Sequence, residues 1–188
     1  MSNLQAEPLP ITGAYLIKPN VFEDPRGSFQ ELYHAEKYAS LDIPILVQYN
    51  KSVSGKGCLR GLHYQQAPAA QGKLVQIMKG SVQDVIVDLR KDSPSFARSF
   101  SIGLFADGKQ VWIPPGCAHG FLAFEDDTTC YYGCSSFYDP KLEGGIRWDD
   151  EALGIAWKNL LPRVSEKDGK LGTLAEALKT CSFSMRTK

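Results

Sequence analysis

The sequence predicts an all-β domain, a sandwich or barrel with a few short, mainly C-terminal helices. Three observations carry this. From Tyr15 to about Tyr138 the chain offers short apolar or alternating runs, among them LVQIMKG, VQDVIVDL, SFSIGLF and QVWIP, broken by glycine, proline or aspartate turns. Helical periodicity is scarce. The length of 188 residues suits one domain that buries roughly two-thirds of its unfolded surface.

Taken in order, HAEKYASL from His34 can form one short helix, after which regularly spaced strands and turns follow as in sandwiches and barrels. From Trp148 onward the stretches WDDEALGIAW and VSEKDGK carry few strand signals and are expected to wrap back over the sheets. Thr173 is placed to cap a last helix through LAEALK. No repeat, linker or low-complexity tract interrupts the chain, so residues 1–188 are read as one domain.

Composition removes several function classes. The 21 basic residues balance 21 acidic ones, so no charged surface advertises nucleic acid or lipid. An anionic ligand must then be met by local arginines and lysines. The N-terminal MSNLQAEPLP lacks the pattern of a secretory signal, and no apolar run is long enough to span a bilayer, which points to the cytosol. The cysteines Cys58, Cys117, Cys130, Cys134 and Cys181 form an odd set without CxxC spacing. They suggest neither a disulfide framework nor a structural zinc site.

Two segments are dense in chemistry: Gly57-Cys-Leu-Arg-Gly-Leu-His63-Tyr-Gln65, continuing through Gln71 and Lys73 to Gly80, and GKQVWIPPGCAH from Gly108 to His119. Their spacing resembles the paired motifs of cupins, jelly-roll barrels that usually centre on a metal. Here Gln65 stands where a second histidine belongs and Lys73 replaces the glutamate. A protonated lysine offers no lone pair and repels a divalent cation, so no metal or other cofactor is expected and the pocket is read as anion-binding.

The resemblance then becomes specific. DPRGSFQE, QYNKSVS, LRGLHYQ, QGKLVQIMKGSVQDVIVDLR, WIPPGCAHGF, YYGCSSFYDP, EGGIRWDDEALGIAW and VSEKD occur in the order found in dTDP-4-dehydrorhamnose 3,5-epimerases, over about residues 11 to 177. The chain resembles that family, which implies a cupin-type jelly roll and cofactor-independent epimerisation of a dTDP-4-keto-6-deoxy sugar. Such chemistry needs a base, an oxyanion donor and an acid, because hydrogens beside a C4 ketone are acidified by the enolate their removal forms.

Histidine's ordinary pKa of about 6.5 lets a neutral imidazole accept a carbon-bound proton near pH 7. His63 is the candidate base. Lys73 shares strand parity with Val75 and Ile77, which puts its ammonium on an otherwise apolar face where it suits an enolate oxygen. Only one of Tyr131 and Tyr132 can point inward, and the motif selects Tyr132 as the acid on the face opposite His63. The resemblance makes Asp168 the carboxylate paired with His63, with Asp84 as its rival.

The resemblance also implies that Arg26, Glu31, Gln48, Asn50, Arg60, His119, Glu143 and Lys167 surround the nucleotide-sugar while Tyr138 stacks on thymine. It further implies a homodimer in which N-terminal strand exchange helps to complete each pocket. Ser136 and Phe137, where an Asp-Tyr pair is common, and Gly144-Gly145 depart from the family pattern and bear on substrate preference. Rival readings are an epimerase acting at C3 or C5 alone, a cupin that binds a sugar without turnover, and a metal-dependent dioxygenase.

Overall fold

In the computed structural model, residues 4–158 and 161–185 are described. The strands are β1 (Gln5–Pro8), β2 (Tyr15–Lys18), β3 (Val21–Asp24), β4 (Gly27–Gln30), β5 (Gln48–Ser54), β6 (Leu59–Gln65), β7 (Lys73–Lys79), β8 (Ser81–Asp88), β9 (Ser99–Phe105), β10 (Gln110–Ile113), β11 (Cys117–Ala123), β12 (Thr128–Cys134) and β13 (Glu143–Gly145). Two helices, α1 (Ala35–Ala39) and α2 (Leu174–Thr180), and 3-10 turns at Glu151–Leu153 and Asp168–Lys170 complete the set. A six-stranded sheet ordered β1-β2-β10-β7-β12-β5 faces a five-stranded sheet ordered β13-β6-β11-β8-β9, and the paired strands run antiparallel. The expected β-sandwich of jelly-roll type is therefore observed. β1 and β13 extend it beyond the Tyr15–Tyr138 span that the apolar runs mark.

Three apolar layers hold it together. Between the sheets, Val75, Ile77, Val111 and Ile113 pack against Val82, Ile86, Leu104 and Phe121. The outer face of the five-stranded sheet is covered by the tail, where Leu153, Trp157, Leu174, Ala177 and Phe183 pack on Leu62, Tyr64, Val85, Val87 and Leu122. Tyr38, Ile43 and Leu46 cover part of the other sheet over Ile17, Leu74 and Trp112. This double coverage explains why β8 does not alternate between buried and exposed positions: every one of its residues is buried, with Val85, Ile86 and Val87 apolar in succession. The tail wraps back as expected, and α2 begins at a capping box in which the Thr173 side chain accepts from the Glu176 amide and Glu176 reaches back to Thr173.

The hairpin β3–β4 stands apart, pairing with neither large sheet. It leaves Phe22 and Phe29 exposed.

β6 and β11 approach closely at a register shift between His119 and Phe121. Gly61 makes this possible: at φ +115° a Cβ there would lie 2.6 Å from the Gly120 Cα and 2.7 Å from the His119 carbonyl oxygen. Gly61→Ala is expected to cost about 1–3 kcal/mol from backbone strain alone, with the clash added, and thermal unfolding should show a clearly lowered Tm.

Candidate active site

His63 on β6 and His119 on β11 sit directly opposite each other, and each holds a different carboxylate. His63 Nε2 lies 2.7 Å from Asp168 Oδ1, and His119 Nε2 lies 2.7 Å from Asp84 Oδ2. Asp84 is thus engaged by His119, and Asp168, 105 residues along the chain, is the partner of His63. The Asp168 side chain is nearly buried, with its other oxygen accepting from the Gly61 amide at 3.2 Å and its own amide donating to Ser165 Oγ at 3.0 Å. Burial alone raises its carboxyl, but His63, the Gly61 amide and Ser165 outweigh that and hold it below the ordinary carboxylate range. An ionised carboxylate only accepts, so in the neutral imidazole Nε2 carries the proton and Nδ1 keeps the basic lone pair.

Two cavities of about 330 and 550 Å³ share His63, Lys73 and Tyr132 in their walls. His63 comes from the five-stranded sheet, Lys73 and Tyr132 from the facing six-stranded one. Alternation along β12 turns Tyr132 toward the core between the sheets, while Tyr131 stacks on Tyr49 with ring centroids 5.7 Å apart and lines a different cavity. Burial, chiefly, pushes the Tyr132 phenol up to about 12, so it stays protonated at neutral pH.

Lys73 is lowered from the ordinary lysine value, again chiefly by burial; Cys134, Glu143, Asp84 and Cys130 pull the other way. Burial also pushes both thiols up, Cys130 to about 12, so at neutral pH the anions that hold the Lys73 proton are the Glu143 and Asp84 carboxylates.

The smaller cavity is also bordered by Gln48, Asn50, Tyr138 and Glu143, the larger by Arg60, His119, Lys167 and Asp168. Glu143 Oε2 accepts from both the Tyr138 hydroxyl and Lys167 Nζ, each at 2.6 Å. Burial opposes ionisation of Glu143, but these two donors hold it below the usual carboxylate value. Arg60 is anchored at the end of β5 by Ser54 Oγ and the Val53 carbonyl, both at 3.0 Å.

Two expected residues are not brought here. Arg26 is exposed and paired with Asp24 at 2.5 Å, and Glu31 is paired with Lys37 at 2.6 Å beside a small separate cavity. Both belong to or follow the β3–β4 hairpin, which pairs with neither large sheet. Conversely, Tyr64, Gln71, Arg163 and Ser165 border the cavities although no role was expected of them: Tyr64 and Gln71 lie in the first dense segment and Ser165 in VSEKD, while Arg163 belongs to none of the motifs. Among the described residues no cluster of three or more His, Cys, Asp or Glu side chains has metal-binding geometry. Gln65, at the cupin ligand position, has its amide bonded to main chain.

Residues 8–176 match the family described as dTDP-4-dehydrorhamnose 3,5-epimerase. The chain belongs to that family. The dTDP-4-dehydrorhamnose 3,5-epimerase of Salmonella typhimurium is 42% identical over 174 residues, covering 90% of this chain and 95% of the relative. Among solved structures, the dTDP-6-deoxy-D-glucose-3,5-epimerase of Legionella pneumophila in complex with dTDP-4-keto-L-rhamnose is 36% identical, with a TM-score of 0.86 and coverage of 95% of both chains. A 3'-monoepimerase of Streptomyces bikiniensis in complex with dTDP-quinovose is also 36% identical, with a TM-score of 0.84 over 92% of this chain and 89% of that one. The sandwich thus serves 3,5-epimerases and a 3'-monoepimerase alike. As in those relatives, the sheets of this dTDP-4-dehydrorhamnose 3,5-epimerase family member are antiparallel, with short helices at the periphery.

Proposed function

We propose that this chain inverts C3 and C5 of dTDP-4-keto-6-deoxyglucose to give dTDP-4-keto-L-rhamnose, working as one domain. The observation that carries the reading is the Asp168-held imidazole of His63 on one sheet and the phenol of Tyr132 on the facing sheet, both bordering the cavities that Lys73 also lines. Inversion needs a proton acceptor and a proton donor on opposite faces of one carbon.

Nδ1 of His63 takes the proton from carbon, and the electrons of the broken C–H bond pass into the C4 ketone as an enolate. The Lys73 ammonium stabilises the enolate oxygen. Asp168 stabilises the imidazolium, and the Tyr132 hydroxyl delivers a proton to the other face as the enolate collapses back to the ketone. His63 then gives its proton to solvent and Tyr132 regains one, which resets both groups for the second carbon.

Arg60 and Lys167 suit the diphosphate, Tyr138 the thymine ring, and Gln48, Asn50, His119 and Glu143 the remaining polar groups. Arg26 and Glu31 join through dimerisation: the unpaired β3–β4 hairpin, with Phe22 and Phe29 exposed, seats on a second copy and brings both side chains to that copy's cavity. We place the enzyme in the cytosol, where the free thiols of its five cysteines persist, and its product in rhamnose supply for cell-surface polysaccharide.

Incubation with dTDP-4-keto-6-deoxyglucose in deuterated water tests the reading. Deuterium entering at both C3 and C5, followed by NMR, is the expected result. Entry at a single carbon converts the assignment to the monoepimerase known among the relatives, and no entry at either carbon refutes it.

A further inference from the structure

We propose that Gln65 is a positioning residue, whose carboxamide fixes the backbone on both sides of Tyr138 and so aims that ring at the mouth of the cavity. The proposal rests on the reading of Tyr138 as the group that meets the nucleobase.

Gln65 ends β6 and is only 4% exposed. Its Nε2 donates to the Phe137 carbonyl at 2.9 Å and to the Ala69 carbonyl, and its Oε1 accepts from the Asp139 amide at 2.8 Å. The Phe137 carbonyl belongs to the peptide plane before the Tyr138 Cα, and the Asp139 amide to the plane after it. One side chain therefore holds both planes, and with them φ and ψ of Tyr138 and the direction of its Cα–Cβ bond. Gln48 Oε1 adds a third restraint, accepting from the Tyr138 amide at 2.9 Å.

Little else orients the ring. Tyr138 is 50% exposed, and its side-chain hydrogen bond is the one from its hydroxyl to Glu143. The neighbouring residues are tied separately: Gln71 donates to the Ser136 carbonyl at 2.8 Å, and the Gly72 amide to Ser135 Oγ at 2.7 Å. These bonds anchor the start of the loop, leaving the Tyr138 geometry to Gln65 and Gln48. A buried carboxamide that gives its hydrogen-bonding groups to main chain cannot be replaced by an apolar side chain without leaving the Phe137 carbonyl and the Asp139 amide unmatched.

The test is a double-mutant cycle of Gln65→Met and Tyr138→Ala, read as KM, kcat and the Kd of dTDP. Tyr138→Ala alone should weaken dTDP binding about tenfold through lost stacking. Gln65→Met should raise KM and the dTDP Kd by about tenfold while kcat stays within about threefold, because all three main-chain partners are lost, two of them flanking Tyr138. Added to Tyr138→Ala, it should change binding by no more than about twofold.

Gln65→Glu, which keeps the acceptor for Asp139 and loses the donor to Phe137, gives a second variant should the methionine protein fail to fold. In Gln65→Met the Asp139 amide should exchange with solvent faster, in Gln65→Glu it should stay protected while KM and the dTDP Kd still rise, and in both the amides of β11 remain protected. A fall in kcat at constant KM, a full Gln65 effect persisting in the Tyr138→Ala background, or unchanged exchange at Asp139 in Gln65→Met overturns the proposal. An unchanged dTDP Kd in Tyr138→Ala itself refutes the stacking role of the tyrosine, a separate outcome read from a separate protein.

Discussion

His63→Ala is expected to abolish deuterium entry at both sugar carbons and to lower kcat by about 10²–10⁴, while dTDP still binds. Both losses follow from removal of one basic nitrogen, since His63 borders both cavities opposite Tyr132 whereas His119 borders only the larger and is engaged by Asp84. Asp168→Asn should approach the same loss without removing the base. An asparagine amide can donate to Nε2, which moves the imidazole proton to Nδ1 and leaves no lone pair there for the substrate. The two residues act as a unit, so His63→Ala combined with Asp168→Asn should be little worse than His63→Ala alone. Independent, multiplying losses would show that Asp168 works elsewhere. The alanine variant also leaves the nearly buried Asp168 carboxylate without its imidazole partner. Its Tm is therefore expected to fall, and His63→Asn supplies a control in which an amide replaces the ring.

How much of this was legible in the sequence depends on how far each partner lies along the chain. The strands were legible because their apolar runs are local; alternation allowed only one of Tyr131 and Tyr132 to point inward and the motif chose Tyr132, while the structure sends Tyr131 outward to Tyr49. The His63–Asp168 pairing spans 105 residues and has no local signal; only the VSEKD motif brought it forward. Asp84 was an equal candidate on chemistry alone, and its engagement by His119 follows from the β8–β11 register, which no periodicity encodes. Gln65 reads in sequence as a missing metal ligand because its partners at Phe137 and Asp139 lie 72 and 74 residues away. Arg26 and Glu31 share a motif with no geometric counterpart within one chain, since the hairpin beside them pairs with neither sheet; the proposed seating of that hairpin on a second copy is what gives them a place.

Lys73 sets the second large effect, and its pH signature separates it from Tyr132. Lys73→Met removes the donor to the enolate oxygen and should lower kcat by about 10²–10³, the usual cost of losing one preorganised oxyanion donor. The ammonium must be present for this stabilisation, and burial lowers its pKa from the ordinary lysine value of 10.5. Activity should therefore fall on the alkaline side at a pH below 10.5, as the charged form is lost. The Tyr132 phenol, pushed up to about 12, remains protonated through that range and cannot produce this limb. Lys73→Arg, whose guanidinium does not titrate in proteins, should remove the alkaline limb while retaining part of the rate. Tyr132→Phe should lower the rate and leave the limb where it was. Glu143 and Asp84 are the carboxylates that support the Lys73 charge, so Asp84→Asn should move the limb further down in pH. A limb that follows Tyr132→Phe, or that survives Lys73→Arg, would assign the titrating group elsewhere and remove Lys73 from the oxyanion role.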